Sequence, residues 1–194
     1  MSFRKKQMRF LLVRNDHIGD MICTTPAFQA IKKQFPKCSI EVVASSCNAP
    51  LIEGLSCVDK VHSYEKPSRK PWGISRLKAY WKKLCLFHKI FYRHYDVCIV
   101  FRGDYSPSAN IFSRFSRARK RIGLGGPQKR GNYTHFISPP AQEHEILYCF
   151  TFLKPLGIVY QDEKPSMILD SLKAKRYHFL KGRILCHLSS RLEQ

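Results

Sequence analysis

The chain opens with RFLLV, residues 9–13, a short apolar run of strand formers, followed by the polar turn RNDHIGD and then MICTTPAFQAIKKQF. In that last piece Ile22, Ala27, Ala30, Ile31 and Phe35 recur at spacings that suit one face of a helix. Pro26 must either fall in the first turns or bend it, because proline removes a backbone donor and crowds the preceding turn. SIEVVAS is a second buried-strand candidate, and a shorter third lies around Val58–Val61, with NAPLIEG between them as a small helix or turn. DVCIVF, residues 96–101, is a further strand, followed by a helix through Ala109–Phe115, and a short strand is predicted at Arg121–Leu124.

The clearest amphipathic helix spans residues 74–94, with Ile74, Leu77, Trp81, Leu84 and Phe91 along one side. The ordinary reading packs that side on the sheet and leaves a basic face in water; the other lays it on anionic lipid. From Gly123 to Gln142 the glycines and prolines predict loop, after which residues 143–158 return to helical spacing through Ile146, Phe150 and Leu153, with Gly157 near the stop. Strand alternating with helix predicts an α/β fold, Rossmann-like, with a mostly parallel sheet. Residues 1–160 form that domain, 161–182 are expected to be a linker, and the apolar run from residue 183 reads as the start of a second domain or as a last edge strand.

Composition supports a folded chain: 194 residues, 44% hydrophobic and 12% aromatic, are far from the disordered regime. The net charge of +20 calls for an anionic partner, which could be nucleic acid, an acidic membrane surface or a phosphorylated substrate. From Lys66 to Arg93 there are nine Lys or Arg and no acidic residue. Seven more basic residues between Arg114 and Arg130 could build a nucleic-acid groove, but no RNA- or DNA-binding module accompanies them, so nucleic acid is the weaker expectation. No apolar run approaches the roughly 20 residues needed to span a bilayer. The basic start has no signal-peptide core after it, so the cytoplasm is the expected compartment. The eight cysteines form no Cys-x-x-Cys pair and read as small buried hydrophobes, with neither a disulfide framework nor a metal site expected.

Complete phosphate-loop, dinucleotide, zinc-protease and serine-elbow motifs are absent, and GLGG at 123–126 is weak support for nucleotide binding. The first turn is more informative, because ligands of open α/β sheets collect beyond the carboxyl ends of the strands. Arg14, Asn15, Asp16, His17, Gly19 and Asp20 follow the first strand there, and Arg102, Gly103 and Asp104 follow DVCIVF, where they could surround a polyanionic substrate. Gly19 could take a tight turn, and Asp20 could accept a proton from a substrate hydroxyl. Asp20 could equally cap the helix that begins beside it.

The opening RFLLVRNDHIGDMICTTPAFQAIKKQFPKCSIEVVASSCNAPLIEGLSCVDKV, continued by YDVCIVFRGDYSPSANIFSRFSRARKRIGL and EHEILYCFTFLKPLGI, resembles the bacterial ADP-heptose:lipopolysaccharide heptosyltransferases of glycosyltransferase family 9. The likeness covers roughly residues 9–158 and implies the N-terminal half of a GT-B architecture, in which two Rossmann-like domains face each other. It implies inverting transfer of heptose from ADP-heptose to the lipopolysaccharide inner core, with Asp20 as the base and no obligate metal or cofactor. Thr24, Thr25 and Pro26 match the helix start and shape the acceptor side; Arg14 and His17 are weaker binding candidates. The implied location is peripheral, at the inner face of the inner membrane. Most of the donor side would lie in a C-terminal domain, on a separately encoded partner if not on this chain, so activity of the chain alone is doubtful. The alternative is a non-catalytic binding module for an anionic glycolipid or, more weakly, nucleic acid.

Overall fold

The first strand, β1 (Arg9–Val13), lies at the centre of a six-stranded sheet of order β3-β2-β1-β4-β5-β6. Its partners are β2 (Ser39–Ser45), β3 (Lys60–Tyr64), β4 (Val97–Val100), β5 (Lys120–Leu124) and β6 (His135–Ile137), and every pairing is parallel. The computed structural model describes residues 7–65, 73–125, 132–138, 143–169, 179 and 181. The run from residue 183, half of the 161–182 segment and part of the glycine- and proline-rich stretch lie outside the described residues. Residues 161–169 carry neither helix nor strand, and they are held against the domain: Ser166 N donates to Thr25 Oγ1 at 2.9 Å and Ile168 N to Leu51 O at 2.7 Å.

Strand alternation builds two cores. Phe10 and Leu12 face α1 (Ile18–Gln34), α2 (Ala49–Ile52) and α5 (Glu145–Thr151), where Phe28, Ile31, Ile52, Phe150 and Phe152 complete the packing. Leu11 and Val13 face α3 (Ile74–Arg93) and α4 (Pro107–Phe115), against Leu86, Ile90 and Phe112. Burial of each such side chain is worth about 1.5–3 kcal/mol. Sheets covered on both faces need strands apolar on both sides, which explains the largely apolar runs RFLLV and SIEVVAS.

Pro26 lies inside α1, which continues past it. A proline at this position leaves the Ile22 carbonyl without its usual backbone donor, and the Thr25 hydroxyl donates to that oxygen at 2.7 Å instead.

Several expectations are corrected. The third strand is Lys60–Tyr64, two residues beyond the predicted start, and a sixth strand, β6, occupies part of the predicted loop. The predicted helix 143–158 is shorter: α5 ends at Thr151 and a 3-10 turn follows at Lys154–Leu156, stopped by Gly157 in the left-handed conformation at φ 72. On α3 the buried residues are Ala79, Leu86 and Ile90, whereas Ile74, Leu77, Trp81 and Leu84 face outward. The helix has two apolar stripes, and the one carrying Leu86 and Ile90 joins the core beneath the sheet. Cys47 and Cys85 are exposed rather than buried, while Cys38, Cys57, Cys98 and Cys149 are buried as expected; Cys186 lies outside the described residues.

Candidate active site at the carboxyl edge of β1 and β4

Strand order reverses between β1 and β4: the chain moves from β1 outward through β2 and β3, then returns to the other side of β1. That reversal opens a crevice at the carboxyl ends of the two central strands, where Arg14–Asp20 and Arg102–Asp104 emerge. A buried arginine organises it. Arg14, 2% exposed, donates from Nη1 to Phe101 O at 2.7 Å and from Nη2 to Glu145 Oε1 at 2.6 Å. Its Nε lies 2.9 Å from Asp16 Oδ1, an ion-pair contact without hydrogen-bond geometry, and its Nη2 lies 3.4 Å from Asp20 Oδ1.

Arg102 closes the other side, with Nη1 3.6 Å from Asp16 Oδ2 and Nη2 donating to Asp104 Oδ1 at 2.6 Å. Tyr148 on α5 donates to Arg102 O at 2.9 Å, so α5 clamps both loops. Burial pushes the Tyr148 hydroxyl up to about 12, with the Glu145 charge adding to it. The two arginines are therefore committed to four carboxylates, Asp16, Asp20, Asp104 and Glu145, instead of forming the open cationic cradle for a polyanion that their sequence positions suggested.

The carboxylates are not equivalent. Burial raises the Asp16 carboxyl above its ordinary range; Arg14 and Arg102 pull it down, Asp20 pushes it up, and burial prevails. Burial opposes the charged Arg14, but neighbouring groups, Asp16 first, outweigh it and hold the guanidinium more firmly protonated. Asp20, in the first turn of α1, is more open than Asp16, its side chain 30% exposed against 11%. Its Oδ2 accepts from His17 N at 3.4 Å, the reach-back half of a capping box.

His17 precedes α1 and is exposed. Gly19 is exposed within the first turn of α1, not in a tight turn, and a Cβ there would meet nothing within 4 Å. Thr24 and Thr25 are fully buried and turned away from the crevice in their bonding: Thr24 Oγ1 donates to Asp20 O at 2.6 Å and lies 3.4 Å from Cys149 Sγ. The Cys149 thiol is pushed up to about 12 by burial, the Arg14 charge offsetting only part of it, which suits packing and not nucleophilic chemistry. Asn15, also buried, donates to Tyr64 Oη at 2.6 Å, and Asn48 Nδ2 donates to Asp16 O and His17 O at 3.3 Å. Asn15 Oδ1, Asn48 Oδ1 and Arg102 Nε are buried with hydrogen-bonding capacity unused within the protein.

Spacing in the sequence brought Arg14–Asp20 and Arg102–Asp104 to one edge, and the structure joins them through the Arg102–Asp16 contact. Glu145 and Tyr148 were missed: they begin a helix far along the chain, and the only available sign was a carboxylate in the first turn of EHEILY. GLGG does not form a phosphate turn over its described part, because Gly123 lies within β5 beneath the Tyr133 ring. Among the described residues, no group of three or more His, Cys, Asp or Glu is arranged to hold a metal ion.

No protein-family model and no curated protein matches the chain by sequence. Solved structures do match. A glycosyl transferase of family 9 from Veillonella parvula DSM 2008 aligns over 95% of this chain and 55% of its own, with a TM-score of 0.73 at 16% identity. The E. coli heptosyltransferase WaaC with ADP aligns over 90% of this chain and 54% of its own, with a TM-score of 0.67 at 21% identity. E. coli ADP-heptose lps heptosyltransferase II aligns over 91% and 51%, with a TM-score of 0.62 at 15% identity. The chain thus has the Rossmann-like fold of the N-terminal domain of a GT-B structure and spans about half the length of each of these glycosyltransferases.

Proposed function

We propose that this chain supplies the acceptor side of an inverting heptosyltransferase that moves heptose from ADP-heptose to the lipopolysaccharide inner core, working at the inner face of the inner membrane. The observation that carries the reading is Asp20: a partly open carboxylate at the start of α1, beside the Arg14–Asp16–Arg102 cluster at the strand-order reversal. The likeness of fold to solved heptosyltransferases supports it.

In the proposed step Asp20 takes the proton of an acceptor hydroxyl as that oxygen forms its bond to the anomeric carbon. The bond from that carbon to the diphosphate breaks, ADP leaves with the electron pair, and configuration inverts. Asp16 is less suited to the task because two arginines face it in a buried position, whereas Asp20 is open to a bound sugar. Arg102, Asp104 and His17 line the approach, the bare Gly19 keeps the start of α1 accessible, and Thr24 and Thr25 brace the helix behind it. By resemblance the donor diphosphate is held mainly by the opposing domain, on this polypeptide or a separate one. A positioned general base contributes about 10²–10⁴ in rate.

A second reading, a non-catalytic module that binds an anionic glycolipid, is favoured by Asp20's own contacts, since His17 N and Arg14 are the partners of a capping carboxylate. Acceptor-dependent ADP release from ADP-heptose and heptose-deficient lipopolysaccharide, with a mass check on the product, separates the two. Transfer gives a mass gain of one heptose that Asp20→Asn abolishes while acceptor binding persists. With a donor-side domain present in the assay, binding by folded protein with no heptosylated product supports the module and overturns the transfer; without that domain, no product is the outcome expected of an acceptor side alone.

A further inference from the structure

Helix α3 packs on the sheet through Ala79, Leu86 and Ile90, with Phe87 half-buried beside Phe112. Its opposite side carries a second apolar stripe, Ile74, Leu77, Trp81 and Leu84, exposed by 74, 70, 67 and 58%. Single exposed apolar residues are commonplace; four in succession at helical spacing along one stripe are an unpartnered face. At about 100° per residue, Lys78, Lys82 and Lys89 lie along one side of the stripe, while Lys83 falls on the sheet-packing side beside Tyr64 and Phe87. The helix has no acidic residue.

We propose that this outer face of α3 docks on an anionic lipid surface, lying in the plane of the headgroups with Leu77, Trp81 and Leu84 inserted and the flanking lysines on lipid phosphates. Three observations select lipid over other occupants. A second copy would bring the same lysines face to face within a chain of net charge +20, so charge opposes self-association. A nucleic acid would use the lysines and Trp81 but leave Ile74, Leu77 and Leu84 without a role. Among the described residues no helix is long and apolar enough to cross a membrane, so α3 lies on the surface.

The topology gives the docking a direction. Strand β3 ends at the carboxyl edge of the sheet with Tyr64, and α3 begins at that edge before running back to β4. Lys83 Nζ lies 5.8 Å from the centre of the Tyr64 ring, and the Tyr64 hydroxyl bonds Asn15 beside the candidate site. The stripe and the crevice thus share one edge, so docking brings the crevice to the headgroup layer. This deepens the reading of a membrane-anchored acceptor and rests on it for where the lipid surface is met. The test contains no acceptor sugar, so its failure and the failure of the transfer reading are distinguishable.

The experiment is co-sedimentation of the full chain with vesicles of phosphatidylcholine alone and of phosphatidylcholine mixed with phosphatidylglycerol. Binding is expected to the mixed vesicles only, to fall with added salt, and to weaken about tenfold or more in L77Q/W81Q/L84Q. The substituted positions are exposed, and circular dichroism checks the fold. A second variant, K78E/K82E, is expected to lose mixed-vesicle binding even if the first misfolds. The proposal is overturned if wild-type protein stays in the supernatant. It is equally overturned if both folded variants sediment like wild type, or if the apolar triple variant loses only dimerisation or only binding of a single-stranded RNA probe.

Discussion

Arg14 and Glu145 stand 131 positions apart in the chain and meet at 2.6 Å, the first just after the central strand and the second at the start of α5. The contact ties α5 to the loop that carries Asp16 and Asp20, and Tyr148 ties the same helix to Arg102. The geometry of the crevice therefore depends on a helix that contributes no residue of the β1–α1 turn.

Removing the arginine should cost more than removing its distant partner. Arg14→Met leaves Asp16 buried without its nearest cation and is expected to destabilise the protein by about 3–5 kcal/mol. Glu145→Gln keeps an acceptor for Nη2 and should cost about 1–2 kcal/mol. Arg14→Lys should not restore wild-type stability, because an ammonium cannot reach Phe101 O, Asp16 and Glu145 with one planar fork. Urea denaturation of the three variants checks the order.

Asp20 substitutions separate capping from proton transfer. Asp20→Asn keeps an oxygen for His17 N and should stay within about 1 kcal/mol of wild type, whereas Asp20→Ala loses that acceptor and should cost about 0.5–2 kcal/mol. If Asp20 is the base, both variants lose turnover alike, by about a hundredfold or more. Parallel unfolding and transfer measurements decide, and a rate loss that tracks stability would leave only the cap.

On the α3 face, Glu41 forms a buried polar cluster: His62 Nε2 lies 2.6 Å from Oε2, Tyr95 donates to the same oxygen at 2.8 Å, and Arg93 pairs with Oε1. Burial opposes the charged carboxylate, but the hydrogen bonds and charges of His62, Tyr95 and Arg93 outweigh it and hold the carboxyl at about 2. The folded state thus holds the Glu41 proton more weakly than the unfolded chain. Its stabilisation, on the order of 3 kcal/mol, is present in full above the ordinary glutamate range near 4.5 and is lost as pH falls toward 2. Glu41→Gln should lower stability at neutral pH and flatten this part of the acid limb, measured by urea unfolding across pH.

Gly123 marks a close approach: a Cβ built there would fall 2.3 Å from Tyr133 Cζ, into the ring itself. Gly123→Ala should cost about 1–3 kcal/mol by displacing the ring that packs beside β6. Adding Tyr133→Ala should make the double variant less destabilised than the sum, a coupling that a denaturation cycle measures.

The central strands were readable because RFLLV, SIEVVAS and DVCIVF carry apolar residues on both faces, as a sheet covered on both sides requires, with Glu41 the acid buried within SIEVVAS. The strand HFI was not, since its three residues are half-buried and stand among glycines and prolines. Helix α3 was legible as a helix but not in its orientation, because two apolar stripes compete and only the packed structure shows which one meets the sheet. The β1–α1 turn was legible as a site because strand, polar turn and helix are contiguous. The Glu145 and Tyr148 contacts were not, because no local period records a pairing across most of the chain.

The central claim is that the carboxyl edge of β1 and β4 recognises a sugar acceptor, and the most direct measurement is calorimetric titration with deacylated, heptose-deficient inner-core oligosaccharide, which removes any contribution of lipid. Saturable binding to the wild-type chain is expected, weakened about tenfold or more by Arg102→Ala, which opens the Asp16–Asp104 side of the crevice, and unchanged in L77Q/W81Q/L84Q on α3. No binding to demonstrably folded wild-type protein, or equal binding by Arg102→Ala, would contradict it.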